Sequence, residues 1–425
     1  MVSTNKPLPP EIWDYIIDFL RKDIRSLQAC SLVCKSFLPR SRYHRFERLK
    51  LQPRHATSFY KFLQGIPEIA TFIRKLTIVP EPRTSRPRPS MAFLKDLESL
   101  VPLAHVLVHT TKLEIEGFFI NGVLADIILD NFVMVKELRL IRCSVASLNR
   151  LITLVYSFPR LTKLSMSDTY TRPVSDGNTG LQSTEDAQDL DLDSFPRLRT
   201  VSFPSRLAVP YESIEVGFIN WLSNHSLHTQ IRTFKILDVS HVERHYVQRF
   251  IQHLGPSLQK LSIGLKEITL AANTGPVLDF SKNTELKELS FRSLRLYRHD
   301  WAHFQCTYHE PRYPECFIET LPPDTSYPLE WVPNSLATLR TNRIIRLHFR
   351  FHAVGTCRRD WLALDWTELV DVLSEPNIGP KLGRIMFEFL TGESSRGIII
   401  PFVASQVARL ESEHDVQFVQ RRSEQ

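Results

Sequence analysis

The chain reads as an α/β protein: a small three-helix head, then an irregular solenoid of parallel strands with outer helices. Three observations predict this. Residues 8–37 carry helical periodicity with capping signals. An apolar triple of the form large-x-x-large-x-large then recurs along the chain. Helix-like stretches separate the triples.

The head opens with Pro9 and Pro10, which suit a first helical turn because their missing N–H is harmless there. Ile12, Ile16 and Leu20 come next at four-residue spacing, with Phe19 beside them, as one apolar stripe. Asp14 and Asp18 are expected on the opposite, wet face. Asp23 reads as the N-cap of a second helix running through Leu27. Leu32, Val33 and Phe37 mark a third. Three helices in so few residues leave apolar surface they cannot bury among themselves, which points to a helical partner.

Residues 41–49 look like a basic amphipathic continuation, and Tyr43, Phe46, Leu49 and Leu51 are expected to pack the head against the next domain. After a helical segment at 57–66 come the triples. The first is Ile73/Leu76/Ile78, and the best formed is Val135/Leu138/Leu140. Others centre on Leu164, Val201, Phe234, Leu261, Leu289, Leu347 and Ile385, and Leu113/Ile115 is a copy lacking its first apolar member. Ten copies at a loose period indicate a repeat architecture. Their spacing runs from 25 residues (113 to 138) to 58 (289 to 347). Three inserts account for the long gaps: 81–90, 171–194 and 298–335. Each is a partner contact or a tolerated surface loop. Helices are expected at 121–132, 144–158, 214–222, 242–254, 361–373 and 399–410. Alternating strands and helices with short links give right-handed crossovers and a parallel sheet.

The charge balance is +7 overall, but residues 1–90 hold 17 Lys+Arg against 7 Asp+Glu. This basic region is a solvated surface or a site for nucleic acid or an acidic partner. No run of about 18 apolar residues occurs, so no membrane-spanning helix is expected. The first residues lack the apolar core of a signal peptide. The six cysteines (30, 34, 143, 306, 316 and 357) show no disulfide-framework spacing, which suits a reduced intracellular protein, cytoplasmic and/or nuclear. Cys30 and Cys34 sit at helical spacing in an apolar stretch and are expected to be buried. No phosphate-cradling glycine motif occurs, and nothing ties a nucleophile to a base, so no enzyme is expected and no cofactor is called for. His299, His303, Cys306, His309 and Cys316 carry zinc-ligand chemistry, but their spacing fits no common finger; polar residues on an insert are the alternative, and no metal is assigned.

The residues Leu8, Pro9, Glu11, Ile12, Ile16, Leu20, Asp23, Ile24, Val33, Cys34, Lys35 and Phe37 make the head resemble an F-box, with Phe37 where tryptophan is common. The repeats resemble the irregular leucine-rich repeats that follow an F-box, notably in fungal proteins, with Cys143 at the Asn/Cys ladder position. The resemblance implies an F-box at 1–50, a helical connector at 51–70 and a leucine-rich-repeat domain at 71–425. It also implies a substrate-recognition subunit of a Skp–cullin–F-box ubiquitin ligase. Leu8, Pro9, Glu11, Ile12, Ile16, Leu20, Ile24, Leu27, Val33, Cys34 and Phe37 would then bind a Skp-type adaptor. A protein substrate would sit on the strand positions that alternate with the triples, for which Ser165, Ser202, Ser262, Ser290, Arg346, His348 and Arg350 are the candidates; the other reading of these positions is simple solvation. The alternatives to the ligase role are nucleic-acid binding by the basic head and a ligase-independent adaptor-binding scaffold.

Overall fold

The computed structural model describes residues 8–80, 100–120, 132–171, 194–204, 214–240, 243–265, 278–295, 329, 331–340, 343–353, 365–375, 378, 382–391 and 399–422. The His/Cys group at 299–316, the insert at 81–90, nearly all of the inserts at 171–194 and 298–335, and all but the last residue of the expected helix at 121–132 lie outside them. The chain divides into two compact units. The first holds 1–200 with 206–218, and the second holds 201–205 with 219–425.

The head begins the first unit. Its helices are α1 (Pro10–Phe19), α2 (Ile24–Val33) and α3 (Leu38–Phe46). Asp23 caps α2 as expected, its Oδ1 accepting from the backbone N–H of Arg25 at 3.0 Å and of Ser26 at 3.2 Å. The boundaries differ from expectation. Leu32 and Val33 finish α2 rather than opening a third helix, and α3 falls on the stretch expected as a basic continuation. Pro39 near the start of α3 explains the shift, since proline is tolerated in a first turn. Tyr43 and Phe46 of α3 pack onward against Phe72 (6.1 Å) and Phe62 (6.3 Å).

The sheet starts earlier than the sequence suggests. β1 (Arg48–Leu51) pairs in parallel with β2 (Lys75–Ile78), and α4 (Ala56–Gly65) and α5 (Glu68–Phe72) make the crossover. The helix α6 (Leu100–Val106) leads into β3 (Lys112–Glu116), which also pairs in parallel with β2. A turn ends each later strand of this unit. Gly117, Arg142 and Asp168 take up left-handed conformations with φ of 72°, 52° and 52°. Behind each comes a two-residue strand: β4 (Phe119–Ile120) after β3, β6 (Ser144–Val145) after β5 (Glu137–Ile141), and β8 (Tyr170–Thr171) after β7 (Lys163–Ser167). The main strands pair in parallel, β3 with β5 and β5 with β7, and the short ones form a second parallel sheet. The same step thus repeats: a buried pair, one residue, a left-handed residue, a buried residue. Cys143 fills that last place at 0% exposure, its thiol directed at the carbonyl oxygens of Ile115 (3.3 Å) and Ile141 (3.5 Å). A helix, α7 (Leu148–Tyr156), returns the chain. Ser147 caps it, and Leu151, Ile152, Leu154 and Val155 are buried.

In the second unit β9 (Thr200–Phe203, of which Val201–Phe203 belong here) stands beside β10 (Thr233–Val239). Next come β11 (Lys260–Leu265), β12 (Glu288–Arg295), β13 (Arg346–Ala353), β14 (Arg384–Thr391) and β15 (Asp415–Arg422), each parallel to the one before. Outer helices return the chain at α8 (Ile214–Asn224, of which Ile219–Asn224 belong here), α9 (Arg244–Leu254), α10 (Trp331–Ala337), α11 (Trp366–Leu373) and α12 (Ile399–Glu411). Despite the long gap between Leu289 and Leu347, β12 and β13 are direct neighbours, so the gap is an insert and not a missed strand. Asp238 (φ 56°) and Ser293 (φ 57°) repeat the left-handed step of the first unit. They read there as bulges within longer strands, because pairing resumes beyond them at Val239 and Leu294.

The second and third members of all ten triples are at most 2% exposed. Towards the C-terminus they become aromatic. Phe291, Phe349, Phe387 and Phe418 stack in register at 5.6, 5.3 and 5.7 Å, with planes within 16°. This ladder gives the outer strands large apolar area that β-branched residues would not supply. One parallel strand per repeat, outer helices and a buried ladder cysteine are the features of leucine-rich-repeat packing. No helix among the described residues is long and apolar enough to cross a membrane.

Candidate interaction surfaces

Helix α1 is apolar on two faces. Ile17 is buried and Trp13 and Leu20 are half-buried, with Trp13 against Phe37 at 5.0 Å. This inner stripe holds the helix on the head. The outer stripe holds Ile12 at 44% exposure, Ile16 at 42% and Phe19 at 72%, with Tyr15 set edge-on to Phe19. Leu8, Ile24, Leu32 and Val33 are also exposed. Pro9, Glu11 and Cys34 stand in solvent with them.

The sequence candidates therefore divide. Leu8, Pro9, Glu11, Ile12, Ile16, Ile24, Val33 and Cys34 are open to a partner. Leu20 and Phe37 are half-buried within the head. Leu27 is a correction: at 1% exposure it belongs to the head's own core, because it lies on the inner side of α2. Cys34 is a second correction. Its helical spacing predicts burial, but the chain leaves α2 there in an extended conformation and turns it outward. Its hydrogen bond with Ser36 (2.9 Å) lowers its pKa below the ordinary thiol value. Asp18 is a third. Its carboxylate accepts a two-pronged bond from Arg40, at 2.5 Å on each oxygen, and lies 2.6 Å from His44 Nε2. The Arg40 bond is the main reason its pKa falls to about 2. The supposed wet face thus ties α1 to α3.

The second surface is the open side of the sheet in the second unit. Ser262, Ser290, Arg346 and His348 line a hollow of ≈ 300 Å³, joined by Lys260, Arg292, Arg384 and Met386. Ser165 lies in the first unit, beside Arg139 on the neighbouring strand. Ser202 and Arg350 do not line the hollow. Arg350 joins a different group, centred on Glu388.

Glu388 is 2% exposed. Arg421 Nε lies 3.0 Å from its Oε1, while His348 Nε2 (2.9 Å), Arg350 Nε (3.6 Å) and Arg292 Nη1 (3.7 Å) approach its Oε2. Backbone geometry creates this. On β13 and β14 the left-handed step is lost, so the strands run straight and set Arg350 opposite Glu388. On β12 the step remains, and Arg292 sits just before it. Burial pushes the His348 pKa down, reinforced by Arg292, and burial likewise lowers that of Arg292, with Arg350 adding to it. Sequence reasoning passed over Arg292, Glu388 and Arg421. Their signal was position: two of them lie two residues beyond Ser290 and Met386, on the same strand face.

The first unit's open face has a smaller hollow, of ≈ 250 Å³. Its lining holds five basic and three acidic side chains, with Lys75 on Glu114 at 2.7 Å and Arg139 on Glu137 at 2.7 Å.

No family model matches the chain, and no curated protein matches it. Among solved structures it is similar to the leucine-rich repeat-containing protein LegL7 from Legionella pneumophila. The identity is 11% and the TM-score 0.38, over 85% of this chain and 98% of that one. It is also similar to a chain of the TLR13–ssRNA13 complex, at 10% identity and a TM-score of 0.28, over 77% of this chain and 38% of that one.

Proposed function

We propose that the chain is the substrate-recognition subunit of a Skp–cullin–F-box ubiquitin ligase, with a Skp-type adaptor on the head and a protein substrate on the repeats. One observation carries this reading. The apolar residues that resemble an F-box at Leu8, Ile12, Ile16, Ile24 and Val33 are exposed, although neighbouring apolar residues of the same helices are buried. Such a cluster is costly in water and marks a docking surface. The chain itself does no covalent chemistry. It acts by proximity, holding a substrate where a charged conjugating enzyme can reach it.

Nucleic-acid binding by the basic head is less well supported, because some of that charge is already taken: Arg40 is held by Asp18 and Lys75 by Glu114. The test is co-purification with a Skp-type adaptor, present for the parent and lost for Ile12→Asp with Ile16→Asp. A parent chain that ignores the adaptor ends the proposal. An in vitro ubiquitination assay then separates a ligase subunit from a scaffold that merely binds the adaptor.

A further inference from the structure

The group around Glu388 holds more positive charge than its own structure needs. Among the described residues, Glu388 is the one carboxylate within ion-pair distance of Arg292, Arg350 and Arg421. One carboxylate against three guanidinium groups leaves an uncompensated positive excess in a half-buried place, which is unfavourable until an anion arrives. Polar atoms are also left over. His348 Nε2 and Arg350 Nε are buried with no aligned hydrogen-bond partner, close as the ion-pair distances are. The hollow of ≈ 300 Å³ adjoins the group and shares Arg292 and His348 with it.

We propose that the open face of the second unit binds an acidic segment of a protein, seating a side-chain anion, carboxylate or phosphoryl, on Arg292, Arg350 and Arg421. This rests on the functional reading in one respect, that the repeats hold a protein substrate. The row of charges beside the group argues for separate anions over a continuous polyanion. Lys260 and Arg346 share Glu288, at 2.9 and 3.5 Å, and Arg384 holds Asp415 at 2.8 Å. Glu288 and Asp415 would repel a run of nucleic-acid phosphates. Of the rings lining the hollow, Phe234 is fully buried and the His348 side chain is only 20% exposed, so neither offers an open stacking platform for bases. A guanidinium fork matches carboxylate and phosphate alike, so the chemistry shared by both is what the site reads.

The test measures binding of labelled peptides of equal length to the full chain: one neutral, one rich in glutamate, one carrying phosphoserine, with a single-stranded oligonucleotide beside them. At least one acidic peptide is expected to bind about tenfold or more tighter than the neutral one, and whichever acidic peptide is tighter names the anion. Arg421→Gln should weaken that binding about tenfold. Its side chain is 64% exposed, so the variant keeps its fold. Glu388→Gln removes the internal competitor and should tighten it; should that variant not fold, Arg421→Gln still decides. Equal affinity for neutral and acidic peptides, no change in Arg421→Gln, or an oligonucleotide that binds tighter than every peptide would overturn the proposal. A chain that binds the adaptor but not acidic peptides loses this inference alone. A chain that binds acidic peptides but no adaptor loses only the ligase reading.

Discussion

Charge placed on the outer stripe of α1 should separate docking from folding. Ile16 is 42% exposed and Ile12 44%. Full burial of such a side chain is worth ~1.5–3 kcal/mol, so covering the part still open at each contributes about 1 kcal/mol. Covering Leu8, Ile12, Ile16, Phe19, Ile24, Leu32 and Val33 together contributes about 8 kcal/mol, and the partner's own surface adds a comparable amount. That gain is of the same order as the cost of association, so two side chains can decide the outcome. Aspartate at both isoleucines removes about 2 kcal/mol of burial and places carboxylates in a dry contact at several kcal/mol more. Affinity for a Skp-type adaptor should fall by more than about a hundredfold in calorimetry or surface plasmon resonance, while circular dichroism stays that of the parent. Leu27→Asp is the contrast. At 1% exposure it disrupts the head itself, so helix signal and binding should fall together. Adaptor binding unchanged in the double aspartate variant would refute the reasoning, because a partner seated along the stripe between Leu8 and Phe19 must cover both positions.

Particular contacts give four further outcomes. Because the Asp18 pKa is lowered to about 2 from 3.8, the Arg40 bond stabilises the head above about pH 4 and is lost as pH falls towards 2. The pair is about one-third exposed, so its contribution is about 1 kcal/mol. Hydrogen exchange over 38–46 should accelerate over that acid range and should be insensitive to it in Asp18→Asn. Phe387→Ala opens the aromatic ladder between Phe349 and Phe418 and should destabilise the second unit by ~3–5 kcal/mol in denaturant unfolding. A Cβ at Gly264 would lie 2.8 Å from the Arg292 carbonyl oxygen, so Gly264→Ala should cost about 1–3 kcal/mol and weaken acidic-peptide binding by displacing Arg292. Alkylation followed by peptide mass spectrometry should label the exposed Cys34 in the native chain and spare Cys143, which is buried and whose pKa burial pushes up to about 11. Bound adaptor should then protect Cys34.

The strands were legible because their signal is local. A buried pair two residues apart, anchored by an apolar residue three before, is what a short parallel strand between a helix and a turn requires. Besides the two-residue strands β4, β6 and β8, two main strands are not legible in the sequence, for different reasons. β1 carries the full pattern, Phe46/Leu49/Leu51, but comes so soon after α3 that it reads as the end of the head. β15 has Val416 and Phe418 in place, yet Glu413 stands where the first apolar residue belongs. Position 110 shows that the first place need not be apolar, since Thr110 is buried there at 1% exposure in the copy that centres on Leu113. The left-handed step was not readable, because Gly117, Arg142, Asp168, Asp238 and Ser293 share a conformation across four residue types.

The surfaces were legible to the extent that they depend on a single helix or strand. Periodicity places Ile12 and Ile16 on one side of α1, but it cannot tell the outer side from the inner when Trp13, Ile17 and Leu20 form an equally apolar stripe. Asp18, held by Arg40 and His44, works with the buried Ile17 and half-buried Trp13 to leave Ile12 and Ile16 outward. Asp18→Asn should therefore weaken adaptor binding as well as the head, although Asp18 touches no partner. The Glu388 group is further from the sequence still. Arg292, Arg350, Glu388 and Arg421 come from four strands, and they converge because the left-handed step is kept on β12 and lost on β13 and β14. A change of backbone conformation from one repeat to the next, and not any motif, is what gathers the charges.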